Sequence, residues 1–277
     1  MEADRPYGGL GLALVRALAE QGRMTFSTKD AQEAAKHFKS PPSNVTLLLH
    51  RLARAGLVRR IKRGTYTLAA TMPGTQESHP FVIAMALVNP CAISGWSALH
   101  HHGLTEQIPR AVTLTTPRRV TTPAMRGAVR GAAASWEVSG QKFEIVTVVP
   151  SHFFGHEEEW FGDSRAQVFN RERALLDCFA LPRRFGGIAE GLGILDEHLK
   201  DLDLARLVDY AQKYGKASVA KRIGYALELM GTTAEVTKPL QVSPVRGYRP
   251  LDPTKPARGR RNVRWGLIEN FATGKSG

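Results

Sequence analysis

The stretch SNVTLLLHRLARAGLVRRIKRGTYTL, residues 43–68, begins with the spacing of an amphipathic helix and ends with that of a basic hairpin. Val45, Leu48, Leu49 and Leu52 recur at i, i+3, i+4 and i+7, which lines one face of a helix running from Asn44 to Ala55. Gly56 is placed to end that helix, since glycine accepts the left-handed conformation common after a C-terminus. LVRRIK and TYTLA then alternate around Arg63-Gly64, a pattern for two strands joined by a tight turn. Eight Lys or Arg residues fall from Lys36 to Arg63 with no acid between them.

Working outward, Leu10, Leu14 and Leu18 in GLGLALVRALAEQG repeat at helical spacing, with Gly22 as a stop. MTFSTKDAQEAAKHF supplies a second helix for which Thr28 is the expected N-cap. KSPPSN, with two prolines, breaks the chain before the third helix. Helix, helix, breaker, helix and hairpin within residues 1–70 is the order of a winged helix-turn-helix. In that arrangement the third helix enters the major groove and the hairpin lies along the backbone.

Once the apolar stripe of the third helix is buried, Ser43, Asn44, Thr46, Leu47, His50, Arg51 and Arg54 are left outside. Asn and Arg can bond two atoms of a base edge at once, while Ser and Thr suit phosphates near a helix start. Arg59, Arg60, Lys62 and Arg63 put charge on the wing. Leu47 is the misfit, either a contact for a thymine methyl or a core residue. The expected DNA-binding set is therefore Ser43, Asn44, Thr46, His50, Arg51, Arg54, Arg59, Arg60, Lys62 and Arg63.

The net charge of +13 is unevenly distributed. Residues 1–78 hold 12 basic against 6 acidic side chains, residues 79–237 hold 17 of each, and residues 238–277 hold 9 against 2. The positive excess lies in the two ends, which attract polyanions through counterion release, and the middle is balanced. At 277 residues and 43% hydrophobic content the chain has room for two domains with real cores. No run of about 18 apolar residues occurs, and MEADRPYGGL lacks an export pattern. Cys91 and Cys178 stand in apolar surroundings and read as buried thiols, so a cytoplasmic location is expected.

TMPGTQESHP, residues 71–80, has the composition of a linker, and residues 81–277 form the second domain. FVIAMALV reads as a helix, and RAVTLTTPRR, SWEVSG and KFEIVTVVP as strands. HEEEWFGDSRAQVFN is expected to hold a solvated acidic turn before a further strand. NRERALLDCFA, GGIAEGLGILDEHL, DLARLVDYAQKYG and a last amphipathic helix, ASVAKRIGYALELMG, follow. Strands followed by a helical cluster define an α+β fold class: a winged helix, then a larger mixed α/β domain.

Catalytic signals are thin. Gly191-Leu-Gly193 lies inside a helical pattern, and neither G-x-S-x-G nor a Walker-type stretch is present. Asp201-Leu-Asp203 has the D-x-D form used to hold magnesium in nucleotidyl transfer, but both residues are better read as helix caps. His100, His101 and His102 are consecutive, and neighbours on a helix diverge by about 100°, so the three cannot converge on one ion. The expectation is a protein that is not an enzyme, with no cofactor and no metal site.

KRGTYTL, ISGWSALHHHGLTEQIP, FNRERALLDCFA with LPRRFGGI, and ASVAKRIGYALELMG together resemble the AbiEi family, antitoxins of type IV toxin–antitoxin systems. The resemblance runs from about residue 10 to 270. It implies a winged helix that binds inverted repeats in its own promoter, double-stranded DNA on which two copies sit. It also implies a C-terminal domain acting against a nucleotidyltransferase toxin, with direct contact left open. DNA contacts carry over onto residues 43–54 and 59–66. Trp96, Leu99, His102, Gly103, Arg173, Asp177, Gly186, Gly187 and Arg222 match the family pattern and are expected to be structural. Arg173 and Asp177, four apart on a helix, are expected to form a surface ion pair of little worth.

In the basic segment 238–277, VRWGLIENF alternates like a closing strand, and Arg258, Arg260, Arg261 and Arg264 cluster beside it. These four are a candidate second phosphate contact. The alternative function is a winged-helix regulator whose C-terminal domain senses a ligand or dimerises, with no toxin partner and no membrane.

Overall fold

The computed structural model describes residues 8–38, 41–69, 78–125, 134–241 and 247–271. In chain order the elements begin with α1 (Gly8–Glu20), β1 (Thr25–Ser27), α2 (Thr28–Lys36), α3 (Pro42–Arg54), β2 (Val58–Lys62), β3 (Thr65–Leu68) and α4 (Pro80–Leu87). Next come β4 (Ala92–Ile93), α5 (Gly95–His101), β5 (Ala111–Thr116), β6 (Ser135–Val138), β7 (Gln141–Thr147), β8 (His156–Phe161) and β9 (Ser164–Phe169). The last group is α6 (Arg171–Ala180), α7 (Ala189–His198), α8 (Leu204–Tyr214), α9 (Ala217–Leu229), α10 (Ala234–Thr237), β10 (Arg249–Pro250), β11 (Arg260–Asn262) and β12 (Leu267–Glu269). The class is α+β, with the three-helix, three-strand module first and the larger mixed part after it.

The chain forms two compact units, and neither is continuous in sequence. The first takes residues 1–92, 119–146 and 158–167. Its winged-helix core joins Leu14 and Leu18 of α1, Ala31, Ala34 and Ala35 of α2, and Val45, Leu49 and Leu52 of α3 to Phe26, Val58, Tyr66 and Leu68 of the small sheet. That sheet has the order β1-β3-β2, all antiparallel, and β1 was not evident in the sequence because it spans only three residues. The other face of the sheet is met by α4, where the Thr67 hydroxyl lies 2.7 Å from that of Ser78. Of the expected linker 71–80, residues 71–77 lie outside the described residues, and Pro80 already opens α4. The first unit also holds a β6-β7 hairpin, Val138 facing Gln141 across Ser139-Gly140, both at positive φ as a two-residue primed turn requires.

The second unit takes residues 93–118, 147–157 and 168–277. Here Ile93 pairs in parallel with Val168, and the Ser94 amide donates to the Thr113 carbonyl. Around α6, which is buried from Glu172 to Phe179, pack α5, α7, α8 and α9. A small sheet of order β10-β12-β11 closes the unit.

Several expectations need correcting. Ser27, not Thr28, caps α2: its hydroxyl accepts the Asp30 amide while the Asp30 carboxylate accepts the Ser27 amide. α3 starts at Pro42, earlier than the stripe suggests, because proline suits the first turn of a helix, where its missing N–H costs nothing. HEEEWF is a strand, β8, and the turn falls at Gly162; an exposed strand tolerates acids that a propensity reading assigns to a loop. Only Asp203 is a helix cap, accepting from the Arg206 amide, while Asp201 lies beside His198. ASVAKRIGYALELMG is not the last helix, since α10 follows it, and it is buried around its whole circumference from Val219 to Leu227.

The Arg173–Asp177 pair is the largest departure. The two are 1% and 4% exposed, and the guanidinium donates to the Asp177 carboxylate at 2.5 Å. A second donor reaches the His152 carbonyl, and Phe169, Phe154 and Tyr214 surround the cation at 4.4, 5.1 and 5.6 Å. The i, i+4 spacing says that the pair can form. Whether it is wet depends on residues far away in sequence, which the spacing does not report.

Candidate nucleic-acid interface

α3 turns its Val45, Leu49 and Leu52 edge into the core, and what that burial leaves outside decides what the helix can touch. Asn44, Thr46, Leu47, His50, Arg51 and Arg54 are all exposed along the remaining arc, the predicted set for residues whose side chains are described. Ser43 lies within α3, in its first turn. Leu48, assigned to the stripe, is only partly buried against the core. Leu47 is 55% exposed, which settles its place on the outer face rather than in the core. An exposed leucine among Asn, Thr, His and Arg gives this arc donors, acceptors and one apolar contact. Gly56, at φ 73°, ends the helix and redirects the chain into the wing.

The wing does not present its four cations alike. Arg63 is exposed in the turn beside Gly64, whose φ of 74° the tight reversal requires. Arg60 is exposed and its guanidinium donates to the Lys62 carbonyl at 3.4 Å. Arg59 pairs across the ladder with Thr67, so it shares the sheet face that meets α4. Lys62 is half-buried and donates to the Leu87 carbonyl at 3.0 Å, with burial holding its ammonium below its ordinary pKa. A register irregularity between Arg60 and Lys62 places Ile61 in the core and separates the exposed cations from the committed one. The alternation of LVRRIK could not reveal this, since a bulge changes which face each later residue takes.

In the second unit, Arg258, Arg260, Arg261 and Arg264 are all exposed on or beside β11 and its turn. Arg264 is paired with Glu228 at 3.2 Å, and Arg261 lies over the Tyr248 ring at 5.3 Å. The segment that carries them is anchored. Trp265 is buried against Gly224 of α9, where a methyl group would overlap the indole, and its Nε1 donates to Glu228 at 2.6 Å. Asp252 accepts from the Thr254 amide and hydroxyl and from the Ile188 amide. The backbone that carries the four arginines is thus anchored, and of their side chains Arg261 and Arg264 have the partners just given.

The other residues of the family-like pattern hold the second unit together. His102 Nε2 lies 2.7 Å from the Phe169 carbonyl, and Trp96 Nε1 donates to the Arg184 carbonyl. Leu99 is fully buried, and Gly103, Gly186 and Gly187 all take positive φ. Arg222 bridges the carbonyls of Phe179 and Pro250.

Among known proteins, residues 14–69 match the family model described as transcriptional regulator, AbiEi antitoxin. That span runs from α1 to the end of β3 and contains α3 and the wing. Over nearly its whole length the chain is similar in fold to the crystal structure of the RV2827C protein from Mycobacterium tuberculosis, with a TM-score of 0.65, 17% identity, and coverage of 96% of this chain and 93% of that one. At that identity the likeness is one of fold. No curated protein matches the chain. No helix among the described residues is long and apolar enough to cross a membrane.

Proposed function

We propose that this protein is a DNA-binding antitoxin that represses its own operon. Two copies bind inverted repeats in the promoter, in the cytoplasm, and the protein counters a nucleotidyltransferase toxin encoded beside it. The observation that carries the DNA half is the exposed arc of α3, Asn44, Thr46, His50, Arg51 and Arg54, inside the stretch that matches transcriptional regulators. Ser43 belongs to the first turn of α3, and a helix start is where backbone amides favour a phosphate. Arg60 and Arg63 supply the wing's backbone contacts, Arg59 adds charge from the adjoining face, and Lys62 holds the wing to α4. Arg258, Arg260, Arg261 and Arg264 make a second set of phosphate contacts. A palindromic site matches two-fold symmetry in the bound protein.

The test uses the full chain and duplex DNA from upstream of its own gene. Arg51→Ala and Arg54→Ala should each weaken binding by about 1–3 kcal/mol and relax preference at one base position. Arg63→Ala should weaken binding to all sequences alike. A chain that neither shifts nor footprints this DNA at low salt would refute the reading. The antitoxin half is tested by co-expression with the adjacent nucleotidyltransferase-like gene product, and failure to relieve growth arrest would sink that half alone.

A further inference from the structure

The small sheet that closes the second unit turns one face inward and one outward. Leu267 of β12 is fully buried, so by the alternation of a strand its neighbour Ile268 takes the other face. Ile268 pairs with Pro250 on one side and with Arg261 on the other, which puts both on that outward face. Tyr248, two residues before Pro250, joins them: it is 36% exposed, and the Arg261 guanidinium lies 5.3 Å from its ring centre. Val263, 81% exposed, stands in the turn from β11 to β12, and Arg258 and Arg260 are exposed earlier on the same segment. Among the described strand residues of this sheet the one carboxylate, Glu269, lies on the side of Leu267 and accepts from Asn262 at 2.9 Å. Of the four arginines, Arg264 alone has a carboxylate partner among the described residues.

We propose that this outward face binds a single-stranded polynucleotide, with unpaired bases stacked on Tyr248 and phosphates held by Arg258 and Arg260. Residues 238–277 hold 9 basic against 2 acidic side chains, so the partner of this segment is an anion. An exposed ring with a guanidinium over it is a platform on which unpaired bases stack whatever their sequence. The ring separates the candidate anions. A duplex keeps its base faces inside the helix and an acidic protein surface has none, so either would use the arginines and leave Tyr248 idle. Unpaired bases use both, and Val263 adds an apolar contact at the edge of the stack. The site extends the reading of these arginines as phosphate contacts, but it rests on nothing in the winged helix. The stacking chemistry is common to RNA and single-stranded DNA.

The experiment titrates labelled rU15, labelled dT15 and the promoter duplex with the full chain, followed by fluorescence anisotropy. At least one oligonucleotide should bind. Tyr248→Ala should weaken that binding by about fivefold or more, the loss of one base stack, while Tyr248→Phe retains it. Promoter affinity should be the same in Tyr248→Ala as in the wild type. Arg258→Ala and Arg260→Ala should each flatten log K against log salt for the bound oligonucleotide by about 0.7. Arg63→Ala in the wing should leave oligonucleotide binding unchanged. A preference for rU15 assigns the site to RNA, a preference for dT15 to single-stranded DNA, and equal binding to both. No binding of either oligonucleotide, or an unchanged affinity in Tyr248→Ala, would overturn the site. So would a Tyr248→Ala that weakens the duplex as much as the single strand, or an Arg63→Ala that abolishes oligonucleotide binding. If the oligonucleotides bind as described and the promoter is not bound at any salt, the site stands and the repressor reading falls.

Discussion

Deleting one partner of the Arg173–Asp177 pair is the sharpest test of how the second unit is held together. In Asp177→Ala the Arg173 guanidinium, 1% exposed, would keep the His152 carbonyl as acceptor and its three aromatic neighbours, while its counter-charge is gone. The neighbouring Nε already lacks a partner, so the arginine has no spare hydrogen bond to fall back on. Burial pushes the Asp177 carboxyl above its ordinary pKa even with Arg173 pulling it back. Breaking such a pair costs about 3–5 kcal/mol because the survivor is stranded. At about 2–4 °C per kcal/mol for a body of 150–250 residues, the melting temperature should fall by about 6–20 °C. Replacing both ions, as Arg173→Met with Asp177→Leu, should recover most of that loss. Thermal unfolding followed by circular dichroism, with tryptophan fluorescence as a second probe, measures all three proteins. A fall below about 3 °C in Asp177→Ala, or a double variant no better than the single, would refute the account of a dry, interdependent pair.

Three further outcomes follow from the anchored C-terminal segment and its arginines. Hydrogen bonds from Thr254 and Ile188, helped by Lys255, hold the Asp252 carboxyl below its ordinary value against the opposing effect of burial. A depressed folded pKa means that its stabilisation is complete above the unfolded value and is lost as the pH falls through the lower folded one. Acid unfolding below about pH 4 should therefore be shallower in Asp252→Asn than in the wild type, and identical acid profiles would contradict this. Gly224→Ala should expel the Trp265 indole, shifting its fluorescence toward longer wavelength and costing about 3 kcal/mol or more, comparable with losing a buried aromatic. The Arg258→Ala/Arg260→Ala/Arg261→Ala triple variant should flatten the log K against log salt slope by about one unit for each phosphate it no longer neutralises, and an unchanged slope would remove those residues from the interface.

How much of this was legible in the sequence depended on the range of the forces involved. The stripe Val45, Leu49, Leu52 and the stops at Gly22, Gly56 and Gly64 are local, so the helices and the wing were readable in place. The exposed arc of α3 followed from that stripe by subtraction. Other features were set by distant partners. Lys62 turns inward because α4 ends with the Leu87 carbonyl beside it, and Arg59 lines a cleft whose far walls lie more than 70 residues away in sequence. Nothing near His79, Gln141 or Phe161 signals that they share a cavity; a basic wing strand carrying a threonine opposite its arginine was the only local hint. The buried Arg173 and the all-round burial of α9 were hidden for the same reason, since charged residues read as exposed until their partners are known.

The fit of Trp265 against Gly224 also sets an order of events during synthesis. The winged-helix core closes among residues 14–68, so its packing is available soon after the wing has left the ribosome. The second unit has to wait: α9 keeps an indole-shaped gap until residue 265 has been made, and the buried Leu251, Asp252 and Leu267 are made in the same late interval. Domains of a nascent chain fold from the N-terminus onward, so the winged-helix core can close while the second unit is still open. A protein interrupted in that interval would carry a formed winged helix beside an unfinished second unit.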